Sequence, residues 1–434
     1  MFRKFITITA FFSIFQAVVF SNQQGEQPSI LFINIDDLND WNSVLQGHPQ
    51  AKTPNLKRLS ELGVTFTNAI CPSPVCFSSR TAIFSGRHPS RSGALSNDHA
   101  MHSWRSYVPG VVTLPMHLKQ NGWQTVGVAK NFHGGDKAEF DQYIQRDKNL
   151  SPIKKIKMAD HLGNRYWGVA NGQKEMMSDY KAVSHGIEFI RSVKQPLFLS
   201  IGIYKPHLPW VVPQEYYDRY PLDEIQFPEI QENDLNDLAD RFKSLAHNEV
   251  VFGPGIHQDL LQNGKAKQMI QAYLACLTFA DDQLGRLLDA WQSSDHSKQG
   301  YIILWSDHGY MLGEKEAWSK MKPWYDSSRV NLIMSGPGVK KNMICDKAVS
   351  LQDLYPTLVE LLNIPEPKHK LDGKSIKALL SDPSRKWNKP VVMSHETGGI
   401  RYDVVLENQF RMTRLITGET ELYDHFKDPH EWNN

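Results

Sequence analysis

The stretch ILFINIDDLND, residues 30–40, runs from an apolar segment straight into two adjacent acidic residues. A continuous apolar run of this length is typical of a strand that is buried on both faces, as in a parallel sheet. The same arrangement recurs in TVGVA before Lys130, in PLFLSIGI before Lys205 and in YIILWS before Asp307. The sequence therefore predicts several buried strands that deliver charged side chains at their carboxyl ends.

Helical segments lie between these runs, and together they predict the fold class. TPNLKRLSELG has Thr53 at the N-cap, Pro54 at the first helical position and Gly63 at the C-cap. A helical apolar periodicity over residues 265–291 predicts a much longer helix. We therefore expect an α/β fold with a doubly wound, mostly parallel sheet flanked by helices. In such sheets, ligands bind beyond the carboxyl ends of the strands.

The chain divides into three predicted segments. Residues 1–21 place basic residues ahead of an apolar run, which predicts a secretory signal peptide. A membrane anchor is the alternative, but the run is shorter than a membrane span requires. Residues 28–365 form the predicted catalytic α/β domain, and residues 366–434 a small C-terminal α+β subdomain with an antiparallel sheet. We expect an exported protein, periplasmic or secreted, without stable membrane insertion after signal cleavage.

Composition excludes several function classes. A formal net charge of +1 over 434 residues provides no overall field for nucleic acid or for an acidic membrane surface. Four cysteines are too few for a disulfide framework in a chain of this length, and their spacing fits no zinc pattern. We therefore expect no nucleic-acid partner, and any anion-binding site must be local.

Acidic residues at the strand ends indicate a divalent-metal site. Asp36 and Asp37 follow one predicted strand, and Asp307 and His308 follow another. Carboxylate oxygens suit a hard cation such as Ca²⁺, whereas imidazole suits transition metals better. An isolated Asp-Asp pair is more often a turn or a helix cap, but the recurrence at a second strand end favours the metal. We expect Ca²⁺, with Mn²⁺ or Mg²⁺ as alternatives.

Three basic residues and two histidines are expected at the same edge. Arg80, Lys130 and Lys320 would together form a pocket for a tetrahedral oxyanion, although each alone is commonly a surface charge. Histidine is the side-chain type most often used in acid–base catalysis, and His133 and His207 are the candidates here. Lone histidines are usually structural, but His207 lies in KPHLP, directly after a predicted buried strand.

Seven motifs follow one another along nearly the whole chain beyond residue 28. They are FINIDDLND, TPNLKRL, CFSSRTAIFSGRHP, VAKNFHGG, YKPHLPW, SDHGYMLGE with AWSK, and ELYDHFKDPHEW. In this order they resemble the type I sulfatases of the alkaline-phosphatase superfamily, most closely the iduronate-2-sulfatase-like group. The resemblance implies the α/β fold of that superfamily and the hydrolysis of a sulfate ester.

The resemblance also implies which residues hold the metal. Asp36, Asp37, Asp307 and His308 would bind the divalent ion, normally calcium in this family. The modified side chain at residue 76 would complete the site.

Cys76 would be the nucleophile after modification. The resemblance implies that a formylglycine-generating maturation enzyme oxidises Cys76 to an aldehyde during export, and that Arg80 keeps the hydrated aldehyde reactive. The family's signal is Cys, any residue, Pro or Ala, Ser, Arg, whereas this chain reads CFSSR. Ser78 therefore departs from the pattern at a position that the maturation enzyme reads.

The remaining candidates would handle sulfate and protons. Lys130 and Lys320 would bind sulfate oxygens, and His207 would also contact the substrate and protonate the leaving sugar oxygen. His133 would remove a proton from the second hydroxyl of the hydrated aldehyde, so that sulfate leaves and the aldehyde returns.

Substrate specificity is weakly encoded. The segment 97–110 predicts a pocket rim with His102, Trp104 and Arg105 as substrate-binding candidates. Three further tryptophans flank catalytic motifs and either stack on sugar rings or pack in the core: Trp210, Trp318 and Trp324. An arginine near the pocket suits a carboxylate, so the leading expectation is a sulfated glycan that contains uronic acid.

Two other functions stay open from the sequence. One is a phosphate or phosphonate ester hydrolase of the same superfamily, in which the Asp-His metal pair also occurs. The other is a catalytically silent protein that binds sulfated glycans, which would follow if Cys76 is never modified.

Overall fold

The computed structural model describes residues 27–135, 137–147, 167–194, 196–249 and 251–434. The predicted signal peptide, residues 1–21, lies outside the described residues. The strands of the described chain are β1 Ile30–Ile35, β2 Val64–Ile70, β3 Gln124–Ala129, β4 Gln142–Ile144, β5 Trp167–Val169, β6 Leu197–Ile203, β7 Trp210–Val212, β8 Tyr301–Ser306, β9 Arg329–Ser335, β10 Met343–Cys345, β11 Val349–Ser350, β12 Val391–Thr397, β13 Ile400–Glu407, β14 Phe410–Leu415 and β15 Thr420–Asp424.

The helices range in length from a single turn to the 27 residues of α10. α10 matches the long helix predicted over residues 265–291. They are α1 Pro54–Glu61, α2 Cys76–Ser85, α3 Pro89–Ser92, α4 Trp104–Tyr107, α5 Leu114–Gln120, α6 Ser178–Ser192, α7 Gln214–Tyr217, α8 Asp240–His247, α9 Ile256–Gln262, α10 Ala266–Gln292, α11 Tyr325–Ser328, α12 Leu354–Leu362 and α13 Lys377–Ser381. Within the described ranges, no helix combines the length and apolarity that crossing a membrane requires.

The large sheet is parallel except at one strand. In the described part of the chain it has nine strands in the order β10-β2-β9-β8-β1-β6-β3-β4, with β11 beside β2. β9 runs antiparallel to both β2 and β8, and the other pairings of this sheet are parallel. The predicted α/β fold with a mostly parallel sheet is confirmed.

β1 lies inside this sheet and is buried on both faces. Leu31, Ile33 and Ile35 pack in a core that includes side chains of α1, α6 and α10. Ile30 and Phe32 belong to a second core with side chains of α2, α5 and α12. Helices therefore cover both faces of the sheet, which is the doubly wound arrangement expected from the continuous apolar runs.

The end of α1 shows a packing role that the sequence pattern did not reveal. The C-cap is Leu62 rather than Gly63. A Cβ atom on Gly63 would lie only 2.0 Å from the backbone oxygen of Met334 in β9, so the glycine permits close approach of helix and sheet. Thr53 is the N-cap as predicted, but its Oγ1 accepts the N–H of Ser43 at 2.8 Å instead of capping the helix.

A second sheet follows α13 and consists of β12, β13, β14 and β15 in antiparallel order. Met393, Tyr402 and Val404 on its inner face belong to the core on the α2 side of the large sheet. The small antiparallel sheet is therefore confirmed, while the domain boundary near residue 365 stays a prediction. A short parallel pair, β5 with β7, lies apart from both sheets.

Glu421 of β15 connects the small sheet to the segment before α11. Its Oε2 accepts hydrogen bonds from Trp324 Nε1 at 3.2 Å and from the Tyr423 hydroxyl at 3.0 Å. Its Oε1 is buried and has no hydrogen-bond partner among the described residues. Burial and the nearby Glu431 carboxylate raise the pKa of Glu421 to about 8, which favours the protonated form of this carboxyl at neutral pH.

We expect Glu421→Gln to flatten the pH dependence of stability. A carboxyl whose pKa is raised on folding binds its proton more tightly in the folded chain. The folded state therefore loses stability as the pH rises from about 4.5 to about 8. Glutamine has no proton to lose. Thermal melts across this window test the expectation, with the exposed Glu407→Gln on β13 as a control; equal slopes for wild type and Glu421→Gln would contradict it.

Candidate active site

The carboxyl ends of the parallel strands bring charged side chains to one edge of the large sheet. The predicted residues found there are Asp36 and Asp37 after β1, Lys130 after β3, His207 beyond β6, and Asp307 and His308 after β8. α2 begins at this edge with Cys76, and all ten residues of the helix are buried. The site is therefore built where a doubly wound sheet ordinarily binds its ligands.

Arg80, one helical turn after Cys76, is buried and connects three strand ends. Its Nε donates to Asp307 Oδ2 at 2.8 Å and its Nη2 donates to Asp36 Oδ1 at 3.1 Å. Its Nη1 donates to three oxygens within 2.9 Å: Asn34 Oδ1 and the backbone oxygens of Lys130 and Asn131. Burial opposes the charge, but the two carboxylates outweigh it and raise the pKa of Arg80. The guanidinium is thus a permanent cation under the site.

The Cys76 thiol is surrounded by charged groups. Its Sγ lies 3.2 Å from His308 Nε2, 3.2 Å from Lys320 Nζ and 3.7 Å from Asp36 Oδ1. Burial opposes the thiolate, but the cations of Lys130, Lys320 and His308 outweigh it and hold the pKa of Cys76 well below its ordinary value. A negatively charged group at this position is therefore stabilised by its surroundings.

The acidic residues form a group that could bind a metal ion. Ligand atoms of four buried residues lie within 4.8 Å of one another: Asp36, Cys76, Asp307 and His308. Asp37, Cys76 and His207 form an overlapping group, and Asp37 Oδ1 lies 3.3 Å from His308 Nε2. Three of the six residues, Asp36, Asp37 and Asp307, supply carboxylate oxygens, the ligand type that suits a hard divalent cation.

Lys130 and Lys320 each bind one carboxylate of this group. Lys130 Nζ donates to Asp36 Oδ2 at 2.6 Å, and Lys320 Nζ donates to Asp37 Oδ1 at 2.7 Å. Buried acids so close together would repel one another strongly without compensating cations. The two ammonium groups supply that compensation and also face residue 76.

The two candidate histidines lie on either side of residue 76. His133 is half-buried, favours the ionised form of Cys76, and lies roughly perpendicular to the Phe77 ring with 6.1 Å between centroids. His207 Nδ1 donates to the backbone oxygen of Leu208 at 2.6 Å, so Nε2 is the nitrogen left to gain and lose a proton. The structure therefore brings both histidines to the group of acids and lysines.

Comparison with known proteins assigns the family. The sequence model described as Sulfatase matches residues 28–364 of this chain. The chain belongs to the sulfatase family. A sulfatase of Formosa agariphila is 34% identical over 430 residues, which cover 95% of this chain and 83% of the relative. The iduronate 2-sulfatase of Mus musculus is 26% identical over 401 residues, covering 80% of this sulfatase and 70% of the mouse protein.

The solved structures agree on the fold. The phosphonate monoester hydrolase of Agrobacterium radiobacter superposes with a TM-score of 0.80 at 18% identity, covering 94% of this chain and 91% of that protein. At that identity the likeness supports the architecture and carries no argument about substrate. The family assignment makes this protein a sulfuric ester hydrolase, and the predicted relationship to type I sulfatases is confirmed.

The predicted rim residues of this sulfatase differ in their exposure and in the contacts that they already make within the chain. His102 is exposed. Arg105 forms an ion pair with Glu139, so the chain itself already supplies the carboxylate expected from a substrate. Trp104 is buried, and its ring stacks on Phe132 with 4.3 Å between centroids. Trp104 thus presents no open ring face for a sugar.

The other three tryptophans of this sulfatase are core residues. Their exposed fractions are 0% for Trp210, 1% for Trp318 and 1% for Trp324. The packing interpretation is therefore correct for them, and the sugar-stacking interpretation is wrong.

Two supporting residues of the site were missed from the sequence. Asn34 accepts a hydrogen bond from Arg80 and is the one polar residue in the apolar run of β1. A polar residue in a buried strand needs a hydrogen-bond partner, so the sequence itself indicated that Asn34 has a specific role. Asp179 at the start of α6 accepts the backbone N–H groups of Tyr204 and Lys205 at 3.0 and 2.9 Å, which orients the chain just before His207. Nothing in the local sequence around Asp179 indicates this role.

We expect a divalent cation to stabilise this sulfatase through the acidic group. An ion at 100 times its dissociation constant contributes about 2.7 kcal/mol to the free energy of unfolding. Asp37→Asn keeps the side-chain shape and tolerates the backbone at φ 61°, but removes one charge, so apparent affinity should fall by about tenfold or more.

Thermal shifts of metal-stripped protein with added Ca²⁺, Mn²⁺ or Mg²⁺ measure this effect. The exposed Asp346→Asn is the matched control and should respond like wild type. An unchanged melting temperature with every ion, or an equal response of Asp37→Asn, would contradict the expectation.

Proposed function

We propose that this sulfatase removes sulfate from a sulfated glycan that contains uronic acid, with formylglycine formed from Cys76 as its nucleophile. The supporting observation is the distance of 3.2 Å from Cys76 Sγ to both His308 Nε2 and Lys320 Nζ. Burial instead raises the pKa of the other cysteines: Cys71, Cys276 and Cys345. Cys76 thus has an environment that a packing residue does not require.

The acidic group fits a resident divalent ion. Asp36, Asp37, Asp307 and His308 would hold it, with residue 76 completing the site, because their ligand atoms are already close and buried. We take the ion to be Ca²⁺, with Mn²⁺ or Mg²⁺ as alternatives. When bound, the ion supplies positive charge that favours the ionised form of the nucleophile.

Residue 76 would carry the reacting hydroxyl. Formylglycine supplies a hydrated aldehyde that attacks sulfur, a chemistry that a thiol does not replace. Arg80 places a fixed positive charge one helical turn away. The proposal requires a formylglycine-generating enzyme as a partner, and that enzyme would have to accept Ser78 in CFSSR.

Four residues would bind sulfate and move protons. Lys130 and Lys320 would donate to sulfate oxygens and so hold the sulfuryl group in position for attack at sulfur. His207 would hold a proton at Nε2 for the departing alcohol oxygen, and His133 would accept a proton at residue 76. The net reaction consumes one water and yields the alcohol and hydrogen sulfate.

The substrate class and location follow from further observations. One relative is named for action on an iduronate 2-sulfate, which supports a substrate with a uronic acid. The basic, then apolar residues 1–21 support export to the periplasm or the medium. A sulfated carbohydrate is thus the proposed partner of the charged site, with the exposed His102 as a further candidate contact.

We expect the tryptic peptide 59–80 from the native host to carry an aldehyde at residue 76. Mass spectrometry after alkylation should find one alkylated thiol rather than two, because formylglycine has no sulfur. Cys71 lies in the same peptide and is an internal control for alkylation. Two alkylated thiols in native protein would overturn the proposed nucleophile and favour the silent binding protein.

Side-by-side turnover distinguishes the ester classes. We expect kcat/KM for 4-nitrophenyl sulfate to exceed that for 4-nitrophenyl phosphate and for a phenylphosphonate ester. Cys76→Ala should lower all measurable turnover by orders of magnitude. Faster turnover of the phosphorus esters would favour the phosphate or phosphonate hydrolase of the same superfamily.

We expect the effect of His207→Gln to depend on the leaving group. A sugar alkoxide needs a proton to depart, so kcat on a sulfated sugar should fall by about 10²- to 10⁴-fold. Nitrophenolate departs without protonation, so the loss on 4-nitrophenyl sulfate should be much smaller. His185→Gln, on the exposed side of α6, is the control. Equal losses on both substrates would show that His207 is not the general acid.

A further inference from the structure

Arg146 lies beside the site without a role in the chemistry described above. It follows β4, the neighbour of β3, and its guanidinium carbon lies 3.6 Å from the centroid of the Tyr204 ring. Stacking on an aromatic ring holds the planar guanidinium in one orientation and leaves its edges available for hydrogen bonds. The side chain is half-buried, so part of it remains accessible.

The hydrogen-bonding capacity of Arg146 is not satisfied by its neighbours. Its Nη1 is shielded from solvent and has no hydrogen-bond partner among the described residues. Asp147, the next residue, forms an ion pair with Lys181 at 2.8 Å. Both oxygens of Asp179 accept backbone N–H groups. A buried donor without a partner is uncommon in native structures and indicates a group that binds there.

Arg146, His207 and Lys130 all lie near the Tyr204 ring. The His207 ring lies 4.5 Å from the Tyr204 ring, centroid to centroid, and Lys130 Nζ lies 5.6 Å from the same centroid. Arg146 and the proposed general acid, His207, therefore both contact the Tyr204 ring, and His207 faces the alcohol part of the substrate. A group bound by Arg146 would belong to that alcohol part and not to the sulfate being removed.

We infer that Arg146 determines specificity by binding a second anionic group on the sugar that carries the reacting sulfate. The guanidinium edge matches a carboxylate or a sulfate, since both present two oxygens to a bidentate donor. A uronic acid carboxylate and a second sulfate share this chemistry. The inference rests on the proposed function, because it places the reacting sulfate at Lys130 and the leaving oxygen at His207.

The test compares wild type with Arg146→Gln on matched probes in the presence of Ca²⁺. The first is a 2-O-sulfated uronate–glucosamine disaccharide, and the second is the same disaccharide with its carboxyl group reduced to an alcohol. The third, glucosamine 2-N,6-O-disulfate, has a second sulfate and no carboxylate. The preference for an anionic probe over the reduced probe should fall by about 10- to 100-fold in Arg146→Gln, chiefly through KM.

Two further variants separate recognition from folding. Arg146→Lys keeps the charge but loses the planar fork, so it should recover part of the preference. Arg191→Gln removes the same charge at the opposite edge of the sheet, beside the segment that precedes β1, and should leave the preference unchanged. Loss on the uronate probe alone identifies a carboxylate subsite, and loss on the disulfated probe alone a sulfate subsite.

A binding measurement distinguishes failure of this inference from failure of the proposed function. Dissociation constants of the probes for Cys76→Ala and for Cys76→Ala with Arg146→Gln do not depend on turnover. Weaker binding of the anionic probes in the double variant supports the subsite even if wild type hydrolyses none of them. An equal loss on the reduced and anionic probes, or no loss on any, overturns the role of Arg146 whether or not the chain is an active sulfatase.

Discussion

The buried guanidinium of Arg80 is the interaction on which the rest of the site depends. It bonds two carboxylates, one amide oxygen and two backbone oxygens, and so joins the ends of β1, β3 and β8 to the first turns of α2. A buried cation without its anions costs several kcal/mol, and the same acids without the cation would repel one another. Strands and helix therefore have one favourable arrangement, which positions Cys76 relative to Asp36 and Asp307.

The lysines couple the two ligands that the site is proposed to bind. Lys130 and Lys320 donate to Asp36 and Asp37, whose oxygens are also candidate metal ligands. A bound cation would compete with these ammonium groups for the carboxylates, whereas a bound sulfate ester would attract the same groups toward itself. A bound sulfate ester would draw the ammonium groups away from the carboxylates and leave these free for the cation. A bound cation would in turn release the ammonium groups for the sulfate, so binding of the two should be mutually favourable.

The sequence was informative wherever structure follows from a local pattern. Apolar runs that end in Asp, Lys or His predicted the sheet, its carboxyl edge and the charged residues there, because parallel strands bring their ends together. The partners of rim residues could not be predicted in this way. Arg105 meets Glu139, and Trp104 packs on Phe132, through contacts that depend on how loops fold over the sheet. The sequence pattern contains no sign of either contact, so the part that these two residues play in binding substrate stays a prediction.

The complete burial of α2 has a consequence for the order of events in the life of this chain. Ser78 is 1% exposed, and its hydroxyl has no hydrogen-bond partner within the described structure. A second enzyme cannot reach residues 76–80 once the helix has packed, so the proposed oxidation of Cys76 would have to occur before folding is complete. A host that folds this chain faster than it oxidises the thiol would accumulate molecules that are correctly folded and permanently inert. The rate of oxidation relative to the rate of folding, rather than the stability of the folded chain, would then determine the active fraction of the protein.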